Sequence, residues 1–124
     1  MRPNEYSITM NFTESQAGKP IDEANRYLLN QAMNYITLES NQSVVILKAR
    51  PLSSVDNCDD VKAWLLDNGF ELYTVTFNYN NGSYVGEYQY PTQRMITVCK
   101  DIEHLHLLQL LYPDNIALIE TKHA

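Results

Sequence analysis

Residues 43–50, SVVILKAR, carry the pattern on which the predicted sheet is built. Its first half is apolar at every position from Val44 to Leu47, which is typical of a strand covered on both faces inside a sheet. Residues 5–12, EYSITMNF, instead alternate apolar and polar side chains and predict a half-buried strand. Between these strands, apolar residues at helical spacing predict a helix from Pro20 to about Ile36. A strand, a helix and a strand within about forty residues indicate a right-handed crossover that leaves the two strands parallel.

The clearest helix signal follows at residues 56–70, DNCDDVKAWLLDNGF. Asp56 or Asn57 can cap the start of this helix. Asn68 and Gly69 supply the left-handed conformation that ends it, and Phe70 can pack back over the last turn. We therefore expect a second helix that ends sharply at a glycine.

The remainder of the chain predicts four more strands and a third helix. Residues 71–80 and 83–90 flank Asn81-Gly82, the strongest short-range signal for a hairpin. Residues 94–100 predict a further strand, Asp101 caps a short helix that Pro113 ends, and residues 115–122 predict the last strand.

The resulting order is β-α-β-α-β-β-β-α-β. It predicts a single α+β domain over residues 1–124, with a mixed, mostly antiparallel sheet of about six strands and three helices. A ferredoxin-like core with an added hairpin fits this order, and several other split αβ topologies fit equally well.

Composition and charge limit the classes of function. The chain has 124 residues, a length that supports one stable domain without metals or disulfides. Its net charge of −6, from 15 acidic and 9 basic residues, repels phosphate backbones, so direct nucleic-acid binding is disfavoured. An acidic balance suits a basic partner, such as a nucleic-acid-binding protein, or it serves only solubility.

The cysteines and the N-terminal residues bear on location. Cys58 and Cys99 are isolated, so they form neither a metal set nor a disulfide framework, and we interpret them as buried thiols in a reducing compartment. The first twelve residues lack the apolar core of a signal peptide, and no run reaches the ~18 apolar residues of a membrane span. We expect a cytoplasmic protein that does not enter a membrane.

Tyrosine is concentrated in the predicted hairpin, because four of the nine tyrosines lie in residues 77–91. A two-residue turn at Asn81-Gly82 sets the register and gives these cross-strand neighbours: Tyr79 with Tyr84, Phe77 with Gly86, Val75 with Tyr88, and Tyr73 with Tyr90. One face of the hairpin then carries five tyrosines. Either this face covers the helices as core, or its tip is exposed and binds a protein, because tyrosine beside Asn, Gly and Ser is typical of binding surfaces.

The other candidate sites have simpler explanations. Asp56, Asp59 and Asp60 cluster at a helix start, which is the ordinary electrostatic choice, although the same patch can meet Lys or Arg of a partner. His104 and His106 lie two residues apart on a helix and point to different sides, so they do not form a metal pair. No catalytic residue, metal site or cofactor is predicted.

Three hypotheses for function remain open. The first is a non-enzymatic acidic protein-binding module that inhibits or modulates a partner protein, of the immunity type or the phage-encoded anti-defence type. The second is a small enzyme or ligand-binding domain with a pocket between sheet and helices, lined by His104, Cys99, Asp60 and the tyrosines. The third is a homo-oligomeric structural protein, such as a homodimer joined through an edge strand. The residues assigned to partner binding are Tyr79, Asn80, Asn81, Tyr84, Tyr88, Asp56, Asp59 and Asp60.

Overall fold

A computed structural model describes residues 2–12, 21–48, 58–79 and 93–123 of the chain. These residues form five strands, three α-helices and one short 3-10 helix: β1 (Glu5–Phe12), α1 (Ile21–Ala32), β2 (Ser43–Leu47), α2 (Cys58–Asp67), β3 (Glu71–Tyr79), β4 (Gln93–Cys99), α3 (Ile102–Leu111), a 3-10 turn (Pro113–Asn115) and β5 (Ile116–Thr121). The α+β class and the three helices are as predicted. No helix among the described residues is long and apolar enough to cross a membrane.

The five strands form one mixed sheet in the order β1-β3-β4-β2-β5. Strand β1 pairs with β3 in parallel, whereas the other three neighbouring pairs are antiparallel. The expected mostly antiparallel sheet is therefore confirmed. Strand β2 is antiparallel to β4, and so is β3, to which β1 is parallel. Strands β1 and β2 therefore run in the same direction, but β3 and β4 separate them.

The ferredoxin-like arrangement is wrong, because β1 lies at the edge of the sheet and not at its centre. The alternation within β1 explains this position. Ile8 and Met10 are buried, whereas Ser7 and Thr9 on the opposite face are exposed. A strand with only one covered face suits an edge, while β2, buried at all five positions, lies inside.

The sheet separates two hydrophobic cores. Helix α1 covers one face, where Leu28, Leu29 and Ala32 pack with Val44 and Ile46 of β2. Helices α2 and α3 cover the other face, in a core that is formed by these residues: Val45, Leu47, Val61, Leu65, Leu66, Phe70, Leu72, Cys99, Leu105 and Leu108. The uninterrupted apolar run of β2 is therefore required, since successive side chains enter opposite cores.

The predicted register of the tyrosine hairpin is wrong where it can be compared. Both edges of β3 are occupied, because Tyr73 lies between Tyr6 of β1 and Ile96 of β4. Val75 likewise lies between β1 and β4, so neither residue faces the tyrosine that the tight turn assigned to it. A local turn signal cannot report that distant strands pair with β3 on both sides. The predicted sixth strand, residues 83–90, lies outside the described residues.

Of three helix ends predicted from the sequence, the end of α2 and the start of α3 lie where expected, and the end of α1 does not. Gly69 adopts a φ of +79°, and the amide of Phe70 donates to the carbonyl of Leu65 at 3.0 Å, which is the Schellman closure predicted for α2. Helix α3 begins after Asp101, whose side chain accepts from the amide of His104 at 2.8 Å. Helix α1 ends at Ala32, four residues earlier than predicted, because the chain turns there while Ile36 still packs in the core.

Candidate functional site

The residues assigned to partner binding from sequence are only partly placed by the structure. Tyr79 is the last residue of β3 and Asp59 lies in the first turn of α2, but the structure describes only their backbone. Asp60 is exposed in the same turn of α2. Four hairpin residues and one acidic residue lie outside the described residues: Asn80, Asn81, Tyr84, Tyr88 and Asp56. Of these eight side chains, the described part of the chain includes that of Asp60.

The described part of the aromatic face of β3 belongs to the core side of the sheet. Val75 is fully buried, and Tyr73 packs against the core beneath α1. The ring of Tyr73 stacks on Tyr6 of the edge strand at a centroid distance of 4.8 Å, and its hydroxyl donates to Glu71 at 3.3 Å. Burial, followed by the nearby carboxylate of Glu71, raises the pKa of Tyr73 to about 12. At this end of the strand the tyrosine is scaffold.

His104 is held as a packing residue between α3 and the end of α2. Its ring stacks on Phe70 at a centroid distance of 3.4 Å. The amide of Lys100 donates to Nδ1, and Nε2 contacts the carbonyl oxygen of Asn68, both at 3.4 Å. Burial lowers the pKa of His104, which favours the neutral ring in this position. Both ring nitrogens are therefore engaged by backbone groups.

Cys99 and Asp60, which were expected to line a pocket with His104, lie in different environments. Cys99 is fully buried in the core that α2 and α3 cover, and Asp60 lies on the surface. Burial, with a smaller contribution from Asp101, raises the pKa of the Cys99 thiol to about 12. Among the described residues, no three His, Cys, Asp or Glu side chains converge as a metal site would require.

Helix α3 carries an exposed apolar surface that the sequence interpretation missed. Leu105 and Leu108 face the core, whereas four other large apolar residues of the same helix are exposed: Ile102, Leu107, Leu110 and Leu111. Leu110 is 76% exposed and Ile102 is 54% exposed. Ile102, His106 and Leu110 follow one another at a spacing of four residues and form one stripe along the outer side. We call the four apolar residues with His106 the outer face of α3.

The composition of α3 indicates its exposed apolar face. Six of the ten residues of α3 are Leu or Ile, and they occur on all sides of the helix. A helix that is apolar on every side is usually buried on every side. In the described structure only one side of α3 is covered, so its composition predicts contact with a further surface.

Arg94 is a second feature that the sequence interpretation missed. It lies on β4, is only 5% exposed, and donates at 2.8 Å both to Oδ1 of Asn25 on α1 and to the carbonyl of Leu47. Within the described residues, its Nε has no hydrogen-bond partner. Burial lowers the pKa of Arg94 to about 10. The guanidinium is thus held beneath α1 by neutral oxygens.

This arrangement makes a stability prediction for Asn25. Replacing Asn25 with leucine removes one acceptor from a buried guanidinium, and we expect a loss of about 1–3 kcal/mol in the free energy of unfolding. The double variant Asn25→Leu/Arg94→Met should recover most of that loss, because an apolar pair no longer contains an unsatisfied charge. Urea unfolding of both variants measures this, with Asn30→Leu on the exposed side of α1 as the control. A double variant that is no more stable than Asn25→Leu would contradict this account.

A groove runs between α1 and β5 on the α1 side of the sheet, with a volume of about 520 Å³. Its apolar lining comes from Leu29 of α1 and from Met33, Ile36 and Leu38 of the segment that follows. No local sequence signal predicts it, since its two walls are far apart in the chain.

Comparison of the chain with protein-family models, curated proteins and solved structures finds no match in any of the three.

Proposed function

We propose that this chain is a non-enzymatic protein-binding module that inhibits or modulates a partner protein, and that the outer face of α3 contacts this partner. The observation that carries the proposal is the row of exposed Leu and Ile side chains on a helix whose opposite side is already packed in the core. Monomeric soluble proteins rarely expose such contiguous apolar surface, and where they do it commonly marks an interaction site.

We propose that the outer face of α3 inserts into an apolar groove on the partner protein. A ten-residue helix is about 15 Å long, so one side of it offers only a few hundred Å². A standard interface removes roughly 800 Å² from each partner. Two α3 helices packed against each other across a two-fold axis would fall short of that area, whereas a groove encloses three sides of a helix. Apolar residues at a spacing of three and four are the anchors that this mode of binding uses.

The negative charge of the chain favours a partner whose groove has basic residues at its rim. The net charge is −6, and Glu103 is the one Asp, Glu, Lys or Arg side chain on α3. A groove with basic residues at its rim would be attracted to this surface and would associate faster at low salt. The hairpin and the acidic start of α2 are proposed as further contacts through these residues: Tyr79, Asn80, Asn81, Tyr84, Tyr88, Asp56, Asp59 and Asp60.

The test replaces the two most exposed apolar residues that lie on one stripe of α3. The variant Ile102→Gln/Leu110→Gln keeps good helix propensity and removes apolar contact area. Proteins captured from lysate by the wild-type chain are identified, purified and titrated against each variant by calorimetry. We expect the double variant to bind about tenfold more weakly or worse, with unchanged thermal stability, because interface anchors dominate binding energy.

The matched control is Ala63→Gln, an exposed position on α2. It should bind as the wild type does. Equal binding of the partner to the wild type and to Ile102→Gln/Leu110→Gln would remove α3 from the interface. A wild-type dimer that becomes a monomer in the double variant would show that a second copy covers this face, contrary to the proposal. Loss of binding in Tyr79→Ala/Tyr84→Ala alone would assign the contact to the hairpin.

A further inference from the structure

The groove between α1 and β5 combines an apolar floor with a charged rim. Leu29 of α1 and Met33, just after the helix, form one wall, and Arg26 lies one turn before Leu29 on α1. Glu120 and Lys122 form the opposite wall at the end of β5. The groove is partly open to solvent.

Strand β5 forms the other wall and is an edge of the sheet. On one side it pairs with β2. The amide of Lys122 donates to the carbonyl of Gln42 at 2.9 Å, and the carbonyl of Lys122 accepts from the amide of Asn41 at 2.7 Å. Both backbone groups of Lys122 therefore point toward the β2 side.

Successive residues of a strand direct their backbone groups to opposite sides, so the amide and carbonyl of Thr121 point away from β2. Ile119, two residues earlier, has the same orientation. Among the described residues, no strand pairs with this side of β5. The edge therefore offers a row of donors and acceptors directly beside the groove.

The charges around the groove favour an acidic occupant. Arg26 pairs with Glu120 at 3.5 Å, so these two charges offset each other. Lys122 donates to the carbonyl of Leu38 at 3.1 Å, and no carboxylate of the described residues forms an ion pair with it. The rim thus keeps one positive charge on a chain whose net charge is −6.

We propose that this groove binds an extended peptide segment of a partner protein, which adds to the sheet as a strand beside β5. In strand addition, backbone hydrogen bonds supply affinity and alternate side chains supply specificity. One apolar side chain of the peptide lies on the floor formed by Leu29, Met33 and Leu38. An acidic side chain two positions away reaches Lys122, because residues i and i+2 of a strand point to the same side. This site lies on the opposite face of the sheet from α3 and does not depend on the function proposed for α3.

The test selects random eight-residue peptides, displayed on phage, against the immobilised full chain. We expect enrichment of an apolar residue and an Asp or Glu two positions apart. A selected peptide, made synthetically, should bind Lys122→Glu at least tenfold more weakly than the wild type. Changing its acidic residue to lysine should restore binding to Lys122→Glu, since the charges are then complementary again.

A second pair of variants tests strand addition itself. Thr121→Pro removes the outward-pointing amide, whereas Thr121→Val keeps it. Both lose the hydrogen bond between the side chains of Thr121 and Ser43, so that loss cancels in the comparison. Binding should be abolished in Thr121→Pro and retained in Thr121→Val, with both variants folded by circular dichroism.

Three results would overturn the proposal. The first is a selection that enriches no such pattern over an uncoated surface. The second is equal peptide binding by Thr121→Pro and Thr121→Val, or by Lys122→Glu and the wild type. The third is a wild-type dimer in sedimentation experiments that Thr121→Pro converts to a monomer, which would assign the β5 edge to a second copy of this chain.

Discussion

Replacing Phe70 with alanine is expected to lower the free energy of unfolding by about 3–5 kcal/mol, the cost typical of a fully buried aromatic ring. Phe70 is fully buried, and its ring lies 5.3 Å from the ring of Trp64 and 3.4 Å from that of His104. It therefore joins the end of α2 to α3, and its removal leaves a cavity between these elements.

Urea unfolding of the purified variant measures this effect. Phe70→Leu retains much of the volume and should cost less, while Leu110→Ala, at a largely exposed position, should cost under about 1 kcal/mol. A loss in Phe70→Ala that does not exceed the loss in Leu110→Ala would contradict the packing described between α2 and α3.

The thiol of Cys99 is expected to react with alkylating reagents about a thousandfold more slowly in the folded chain than in the unfolded chain at pH 8. The thiolate is the reactive form, and a pKa of about 12 in place of 9.0 reduces its population by about that factor. The fully buried position also limits access of the reagent to the sulfur.

The rate is measured with iodoacetamide in a Cys58→Ser background, with and without urea, so that only Cys99 reports. The same pKa shift has a consequence for stability. The unfolded chain loses the thiol proton first as the pH rises above 9, so the contribution of Cys99 to stability falls between pH 9 and 12. Equal alkylation rates in the folded and unfolded chains would show that Cys99 is not in the core.

Short-range signals predicted most of the helices and strands correctly. The glycine after α2 and the aspartate before α3 mark helix ends through backbone conformation and a local hydrogen bond, and both signals depend on residues within one turn. The apolar run of β2 correctly predicted a strand covered on both faces. These features depend on neighbours in the sequence, and for that reason a single sequence contains them.

Features that depend on distant residues were missed or misjudged. The Asn81-Gly82 signal suggested partners for Tyr73 and Val75, but β1 and β4 occupy those positions. Arg94 has no local sequence signal that indicates burial, yet α1 covers it and Asn25 accepts a hydrogen bond from it. The local sequence pattern predicts neither the order of the strands in the sheet nor which side chains other elements bury.

The candidate sites divide in the same way. The exposed Leu and Ile residues of α3 could have been identified from composition, because a short helix that is apolar on every side requires a second surface to cover it. The groove beside β5 could not, since it exists only where α1 crosses a strand about ninety residues away in the chain. Local periodicity was enough to predict most of the helices and strands, and it also contained the apolar excess of α3. The position of the edge strands, the burial of Arg94 and the groove beside β5 follow from the folded arrangement alone, because they depend on strand pairing between distant parts of the chain.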